Sequence, residues 1–226
     1  MEHGFNWLQG LGLPVHISTG ILVALLLLAF ALRVRPKLAA VETALDPDDG
    51  VSARNIAEAV VEALSSLAEG VIGHHSERYV TLLAAFFVFI LASNLIGLVP
   101  GFVPPTSNFN TTFGLGLISF VAYNVYGMRE QGVDHLKHLL GPVWWLAIIM
   151  LPVELFSNAF RPISLGIRLF ANMFADHEVI SIFTSMTKLL VPVLFYVLGA
   201  FVAVVQAFVF TMLSAIYISL SVSHDH

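Results

Sequence analysis

VWWLAIIMLPVELFSNAFRPISLGIRLFANMFADHEVISIFTSMT, residues 143–187, is the stretch on which the fold turns. It is mostly apolar and compatible with a helix throughout. At 1.5 Å per residue such a helix is roughly 65 Å long, about twice the hydrocarbon thickness of a bilayer. It cannot stand upright as one helix, so it is broken, strongly tilted, or both, and Pro152 and Pro162 are candidate kinks. Glu154, Ser157, Asn158, Arg161, Ser164, Arg168, Asn172 and Asp176 recur in it at steps of three, four and seven. At 100° per residue they occupy an arc of about 120°. His177 and Glu178 fall outside that arc.

A charged side chain at lipid depth costs at least about 2.5–3.5 kcal/mol. A sequence keeps several on one face only where that face meets water, a partner, or the other charges. Glu154 and Arg161 also fit residues that snorkel from a membrane end. Arg168 fits that description less well, since Ile167, Leu169 and Phe170 flank it deep in an apolar run. Arginine stays charged and cannot itself relay a proton. A fixed cation between two half-pathways repels passing cations and favours ionisation of a carboxylate on a neighbouring protein.

Composition extends the same reading to the whole chain. Of 226 residues, 58% are hydrophobic and 11% charged, with mean hydropathy +0.86. A soluble domain carries about 25% charged residues, so lipid is the main solvent here. The absence of cysteine excludes disulfides, thiolate chemistry and cysteine–zinc sites. A net charge of −5 without a long basic block argues against nucleic acid as a partner. The N-terminus lacks the basic segment of a secretory signal, so the first apolar run reads as a retained helix.

Outward from the deciding stretch, the chain predicts membrane-crossing helices over 17–33, 79–99, 111–128, 143–187 and 190–221. Arg33, Arg35 and Lys37 after the first run, and Arg78 and Arg129 around the second hairpin, put those ends on the cytoplasmic side. The N-terminus then lies outside and the C-terminal His224-Asp225-His226 inside. Between the first two spans, Asp46, Pro47, Asp48, Asp49 and Gly50 mark a polar linker, and Ser52 can cap the helix that follows. Over 52–73, Ile56, Val60, Leu64, Leu67 and Val71 repeat at helical spacing, with Glu58, Glu62, Ser65, Ser66 and Glu69 on the other face. This is an amphipathic helix lying on the membrane surface. Pro100, Gly101, Pro104 and Pro105 form a turn-rich loop. The expected fold is thus an all-α membrane protein, one integral domain over 1–226, with five membrane-crossing helices plus one surface helix. Its last two helices are long and strongly tilted.

In the last helix Gln206 is the deepest strong hydrogen-bonding side chain, and Gly199 and Ala203 share its face, allowing close helix approach. A lone glutamine is as often glue between helices as part of a pathway; pairing of this helix with the Arg168 stretch would favour the second. His74, His75, His135, His138, His224 and His226 read as membrane-surface residues rather than metal ligands, and Trp144 and Trp145 as interfacial anchors. Neither a nucleophile elbow, a metalloprotease spacing nor a phosphate-cradling glycine loop is present. No internal repeat is visible, which weighs against inverted-repeat transporters.

PISLGIRLFANM, residues 162–173, closely resembles the signature of subunit a of F-type ATP synthases. QAFVF at 206–210 resembles the family's motif on its last helix, and NLIGLVP at 94–100 the end of an earlier span. The likeness in order and spacing runs from about residue 15 to the C-terminus. It implies that Arg168 is an ion barrier facing the ion-binding carboxylate of a rotor ring, against which the last two helices lie as a tilted hairpin. Asn172 and Gln206 match polar residues beside it. His177 matches an outer half-channel position, while Glu154, Arg161 and Ser164 match positions of the inner half-channel. Asn94, in the earlier motif, joins the proton pathway. Two positions depart from the family: Gly97 stands where some members have aspartate, and Gly199 where members often have His or Glu. The outer pathway must then titrate elsewhere. His177 leads, because an unperturbed histidine titrates near pH 6.5, and Asp176 and Glu178 beside it can share a water with it. The resemblance further implies c-type rotor-ring subunits, b-type peripheral-stalk subunits and the lipid membrane as partners. It implies no cofactor, no metal and no catalytic site of the chain's own. The expected location is a bacterial inner membrane, with an organelle inner membrane as the alternative. The rival function is a stand-alone proton-coupled secondary transporter, which needs an acidic carrier of its own and a cavity between repeats. A purely structural anchor gains nothing from buried charge.

Overall fold

The long apolar runs form helices, and the turn-forming residues separate them. The structure, a computed structural model, describes residues 7–8, 10, 12–39, 52–73, 76–131, 147–187 and 190–222. Within the helices, the side chains of 36–39, 131, 147–151, 154–155 and 190 lie outside this description. So do the 46–50 linker, His74, His75, His135, Lys137, His138, Trp144, Trp145 and the C-terminal 223–226. The described residues contain six α-helices and one 3-10 turn: α1 (Val15–Ala39), α2 (Ala53–Ile72), α3 (Glu77–Ile96), the turn Pro105–Ser107, α4 (Phe109–Gln131), α5 (Ala147–Met186) and α6 (Leu190–Val222).

Three stretches are long and apolar enough to cross a membrane: Val15–Arg35, Glu77–Ile96 and Val191–Val222. The physical reason that α4 and α5 fall short lies in their side chains. α4 carries Asn110, Thr111, Thr112, Asn124 and Arg129, and α5 carries the polar stripe. α5 runs as one helix through both Pro152 and Pro162. α1 shows the lipid solvent most plainly. Leu25, Leu26, Leu28 and Leu32 are exposed, while Ser18, Thr19 and Val23 are buried against the rest of the chain. The Thr19 hydroxyl avoids an unmet hydrogen bond by donating to the Val15 carbonyl at 2.9 Å.

Two apolar clusters hold the bundle. One joins Phe86 and Ile90 of α3, Leu115 of α4, Leu165, Leu169 and Met173 of α5, and Ala207 and Phe210 of α6. The other joins Ala68 of α2 to Tyr79, Val80 and Leu83 of α3, Tyr123 of α4, and Ala215 and Ile218 of α6. α2 is therefore more than a float on lipid. Ser52 caps it by accepting from the Asn55 N–H at 3.2 Å. Its Leu64 and Ala68 are buried, and Ser219 of α6 donates to the Val71 carbonyl at 2.9 Å. Arg54 is buried in the first turn and pairs with Glu58 at 2.7 Å. The α2 end of the bundle is also where Arg78 of α3 bridges Glu130 of α4 at 2.8 Å.

The 3-10 turn packs among α1, α3, α4 and α5. Its Thr106 is fully buried and donates to Asn94 Oδ1 at 2.7 Å, and Asn94 Nδ2 donates in turn to the Ala203 carbonyl of α6 at 3.4 Å. One asparagine thus ties the loop, α3 and α6 together at a depth where an unmet amide is costly.

Candidate functional site

The rotation of α5 about its axis decides what its polar residues face. Leu165, Leu169 and Met173, at spacings of four, are all buried in the core. A close crossing with α4 fixes this rotation further. A Cβ added at Gly116 would come 2.5 Å from the Pro162 carbonyl oxygen, and one at Gly166 would come 3.0 Å from Phe113 Cα. Only glycine at both positions lets the two backbones approach this closely. With Leu165 and Leu169 turned in, Arg168 is turned out. It is exposed, and among the described residues it has no ion-pair or hydrogen-bond partner. Ser164, Ala171 and Ala175 are exposed beside it, so the face around the guanidinium is built of small side chains.

The other edge of the stripe turns toward α6. Asn172 Nδ2 donates to Gln206 Oε1 at 2.7 Å, and Gln206 is buried. One turn further on, the Asp176 carboxylate rests on bare backbone. A Cβ at Gly199 would lie 2.7 Å from Asp176 Oδ2 and 3.0 Å from Leu98 Cδ2. The glycine that departs from the expected His or Glu thus makes room for an acidic group from the facing helix. The α5–α6 pairing brings Asn172 to Gln206 and Asp176 to Gly199, and Arg168 precedes Asn172 by one turn of α5.

Beyond Asp176 the bundle opens. His177 is half-buried and lines a cleft of about 360 Å³, together with Ser181, Thr184 and Ser185 of α5, Tyr196 of α6 and the loop from Gly97 to Val103. This cleft lies at the end of the bundle opposite Arg78 and Arg129. At the near end Arg161 is half-buried, with its guanidinium carbon 5.4 Å from the centroid of Tyr217 and 5.8 Å from that of Tyr123. The Tyr123 hydroxyl bonds to the Asn158 side chain. Arg168 stands between these ends, about 10 Å along the axis from Arg161 and about 13 Å from His177 at 1.5 Å per residue.

The expected residues therefore separate into groups. Asn172 and Gln206 touch each other, and Asp176 meets the α6 backbone. His177 lines the cleft, and Arg161 lies in a cage of rings. Ser164 and Glu178 are exposed on α5. Asn94 is held inside the bundle by Thr106 and Ala203. The side chain of Glu154 lies outside the described residues. The sequence did not single out Ser181, Thr184 and Ser185, although their spacing of four, seven and eight from His177 is a helical signal. Tyr123, Tyr217 and Thr106 carried no local signal, because only tertiary packing brings them to their partners.

Comparison with known proteins places this arrangement in context. The family model described as ATP synthase A chain matches residues 16–219. The chain is 43% identical over 227 residues to ATP synthase subunit a of Bdellovibrio bacteriovorus, covering 98% of this chain and 99% of the relative. It is 41% identical over 219 residues to ATP synthase subunit a 1 of Syntrophotalea carbinolica, covering 97% and 90%. It is 36% identical over 221 residues to ATP synthase subunit a of Geobacter sulfurreducens, covering 94% and 93%.

Proposed function

The chain belongs to the ATP synthase A chain family, and from that premise we propose that it is the ion-translocating stator subunit of a rotary F-type ATP synthase. It provides two offset proton half-channels to a rotor-ring carboxylate, with Arg168 as the barrier between them. The observation that carries this reading is the exposure of Arg168, without an ion-pair or hydrogen-bond partner among the described residues, on a face of small side chains. A permanent cation so placed is stable only against water or an acidic partner. The small neighbours Ser164, Ala171 and Ala175 suit the close approach of another helix.

In this reading α4 and α5 cross the membrane with α1, α3 and α6. Their polar residues face the ring, the half-channels or one another rather than lipid. α5 and α6 lie tilted against the ring, as their lengths require. Protons enter from the outer side by the cleft along its Ser181, Thr184, Ser185 and Tyr196 hydroxyls and reach His177 and Asp176. Asn172 and Gln206 guide them to the ring carboxylate. Once neutral, that carboxylate can travel through lipid. On the inner side Arg168 favours its ionisation, and the proton leaves past Ser164, Arg161 and Glu154. The chain holds no nucleotide site; it couples proton flow to the rotation of its partners. Those partners are c-type ring subunits and b-type stalk subunits, in a bacterial inner membrane.

The reading is tested by Arg168→Ala in the assembled complex. Proton-driven ATP synthesis should disappear while the subunit still co-purifies with a ring of small hairpin subunits. Retained coupled synthesis would falsify it. Proton movement by the purified chain alone in vesicles would favour the stand-alone transporter.

A further inference from the structure

Two turns before Arg168, on the same arc of α5, a second arginine is held in a different way. The Arg161 guanidinium lies over two rings from two other helices, Tyr123 of α4 and Tyr217 of α6, at 5.8 and 5.4 Å from their centroids. The two rings are 5.9 Å apart and inclined at 53°, so they form two walls of a corner rather than a stack. The cage is itself fixed. The Tyr123 hydroxyl bonds to Asn158 of α5, and Ser221 Oγ of α6 donates to the Tyr123 carbonyl at 2.9 Å.

Cation–π contact differs from a salt bridge in one respect that matters here. Ring quadrupoles attract the cation without contributing a negative charge. A carboxylate in the same place would cancel the field of Arg161; two tyrosines hold its position and leave that field in force. The titratable and charged groups on the helices packed against α5 are Tyr123, Tyr126, Arg129 and Glu130 of α4, and Tyr196 and Tyr217 of α6. Tyr123 and Tyr217 face Arg161, and Glu130 is engaged by Arg78. On α5 itself the neighbours along the stripe are Arg168 and Glu154, the latter with its side chain outside the described residues. Among the described residues Arg161 has no carboxylate partner.

We propose that Arg161 is an electrostatic positioning residue of the inner half-channel, a second un-neutralised cation held rigid by Tyr123 and Tyr217, whose field keeps the rotor carboxylate ionised on the inner side. The proposal rests on the stator reading above. Arg168 alone would act at one point of the rotor's path; with Arg161 about 10 Å away along the axis, the positive potential extends down the inner half.

The test uses assembled complexes in inverted vesicles, measuring ATP-driven proton pumping per ATP hydrolysed against the pH of the medium facing the inner side. Protons are then taken up through the inner half-channel. Removing a cation makes the rotor carboxylate easier to protonate there, so uptake persists to higher pH. Arg161→Gln should move the alkaline limb up by about one pH unit, the size expected for one charge at about 10 Å and an effective dielectric of about 20. Arg161→Lys should restore the wild-type limb, Tyr217→Phe should leave it in place, and Tyr217→Leu should move it part of the way. An unchanged limb in Arg161→Gln overturns the proposal, as does Arg161→Lys moving the limb as far as Gln does. If Arg161→Gln fails to assemble, an unchanged limb in assembled Tyr217→Leu overturns it instead. Wild-type complexes that hydrolyse ATP and pump no protons would remove the stator reading itself.

Discussion

Before Arg168, the charged side chain Arg161 of α5 meets two tyrosine rings; after it, Asp176 meets a glycine and His177 a cleft that Ser181, Thr184, Ser185 and Tyr196 share with the loop from Gly97 to Val103. Both stretches carry charge on nearly the same arc of one helix, yet their surroundings differ in kind. In the first, Tyr123 and Tyr217 enclose Arg161. In the second, Gly199 leaves room for the Asp176 carboxylate, and about 360 Å³ opens beside His177. The contrast teaches that a polar stripe is not one surface. The neighbouring helices α4 and α6 set whether a given charge is held against rings or stands beside an open cleft, and the exposed Arg168 lies between the two settings.

Breaking the boundary should have the largest effect. A fixed charge about 5 Å from a carboxylate, at an effective dielectric of about 20, contributes about 3 kcal/mol, or roughly a hundredfold. Arg168→Ala should therefore lower proton-driven ATP synthesis by about a hundredfold or more, with the amount of assembled complex unchanged on native gels. Next comes the crossing that sets the rotation of α5. Gly166→Leu forces a side chain against Phe113 and Thr112 of α4, and overpacking of this kind costs about 1–3 kcal/mol or more. The yield of assembled complex should fall several-fold, and Gly166→Ala should fall between Leu and wild type. His177→Leu sharpens the outer side alone. Coupled synthesis should drop about tenfold, a change of about 1.4 kcal/mol in the rate-limiting barrier. Normal synthesis would show that the cleft delivers protons by other groups. The smallest effect belongs to Thr106→Val, which leaves Asn94 Oδ1 without its donor at a cost of about 1–2 kcal/mol. Thermal stability of the solubilised complex should fall by a few degrees while coupling persists.

What the sequence made legible follows from which signals are local. Helical class, the three most apolar stretches and the arginine motif are properties of contiguous residues, and each is readable without knowing a neighbour. The one-sided arc on α5 was equally readable, because helical periodicity needs only the spacing of residues. The division of that arc was not, since it depends on which helix each edge faces. Gln206 illustrates the point. Alone it reads as glue or as pathway, and its bond to Asn172 appears only when α5 and α6 are brought together. The motif around Asn94 is local, but its hydrogen bonds to Thr106 and Ala203 need the loop and α6 to be in place. The turn Pro105–Ser107 read as part of a loop, because nothing in a proline-rich connection announces that its threonine is buried. The docking of α2 on α3 and α6 was hidden for a related reason: an apolar face suited to lipid suits a neighbouring helix equally well.

The absence of cysteine from the chain gives the account its most direct trial. Single cysteines placed at Ser164 and Ser181, in complexes assembled in sealed vesicles of each orientation, can be exposed to a charged, membrane-impermeant thiol reagent. Ser181→Cys should be modified only from the outer side and Ser164→Cys only from the inner side. Modification of both from the same side would contradict it, because Arg168 would then divide nothing.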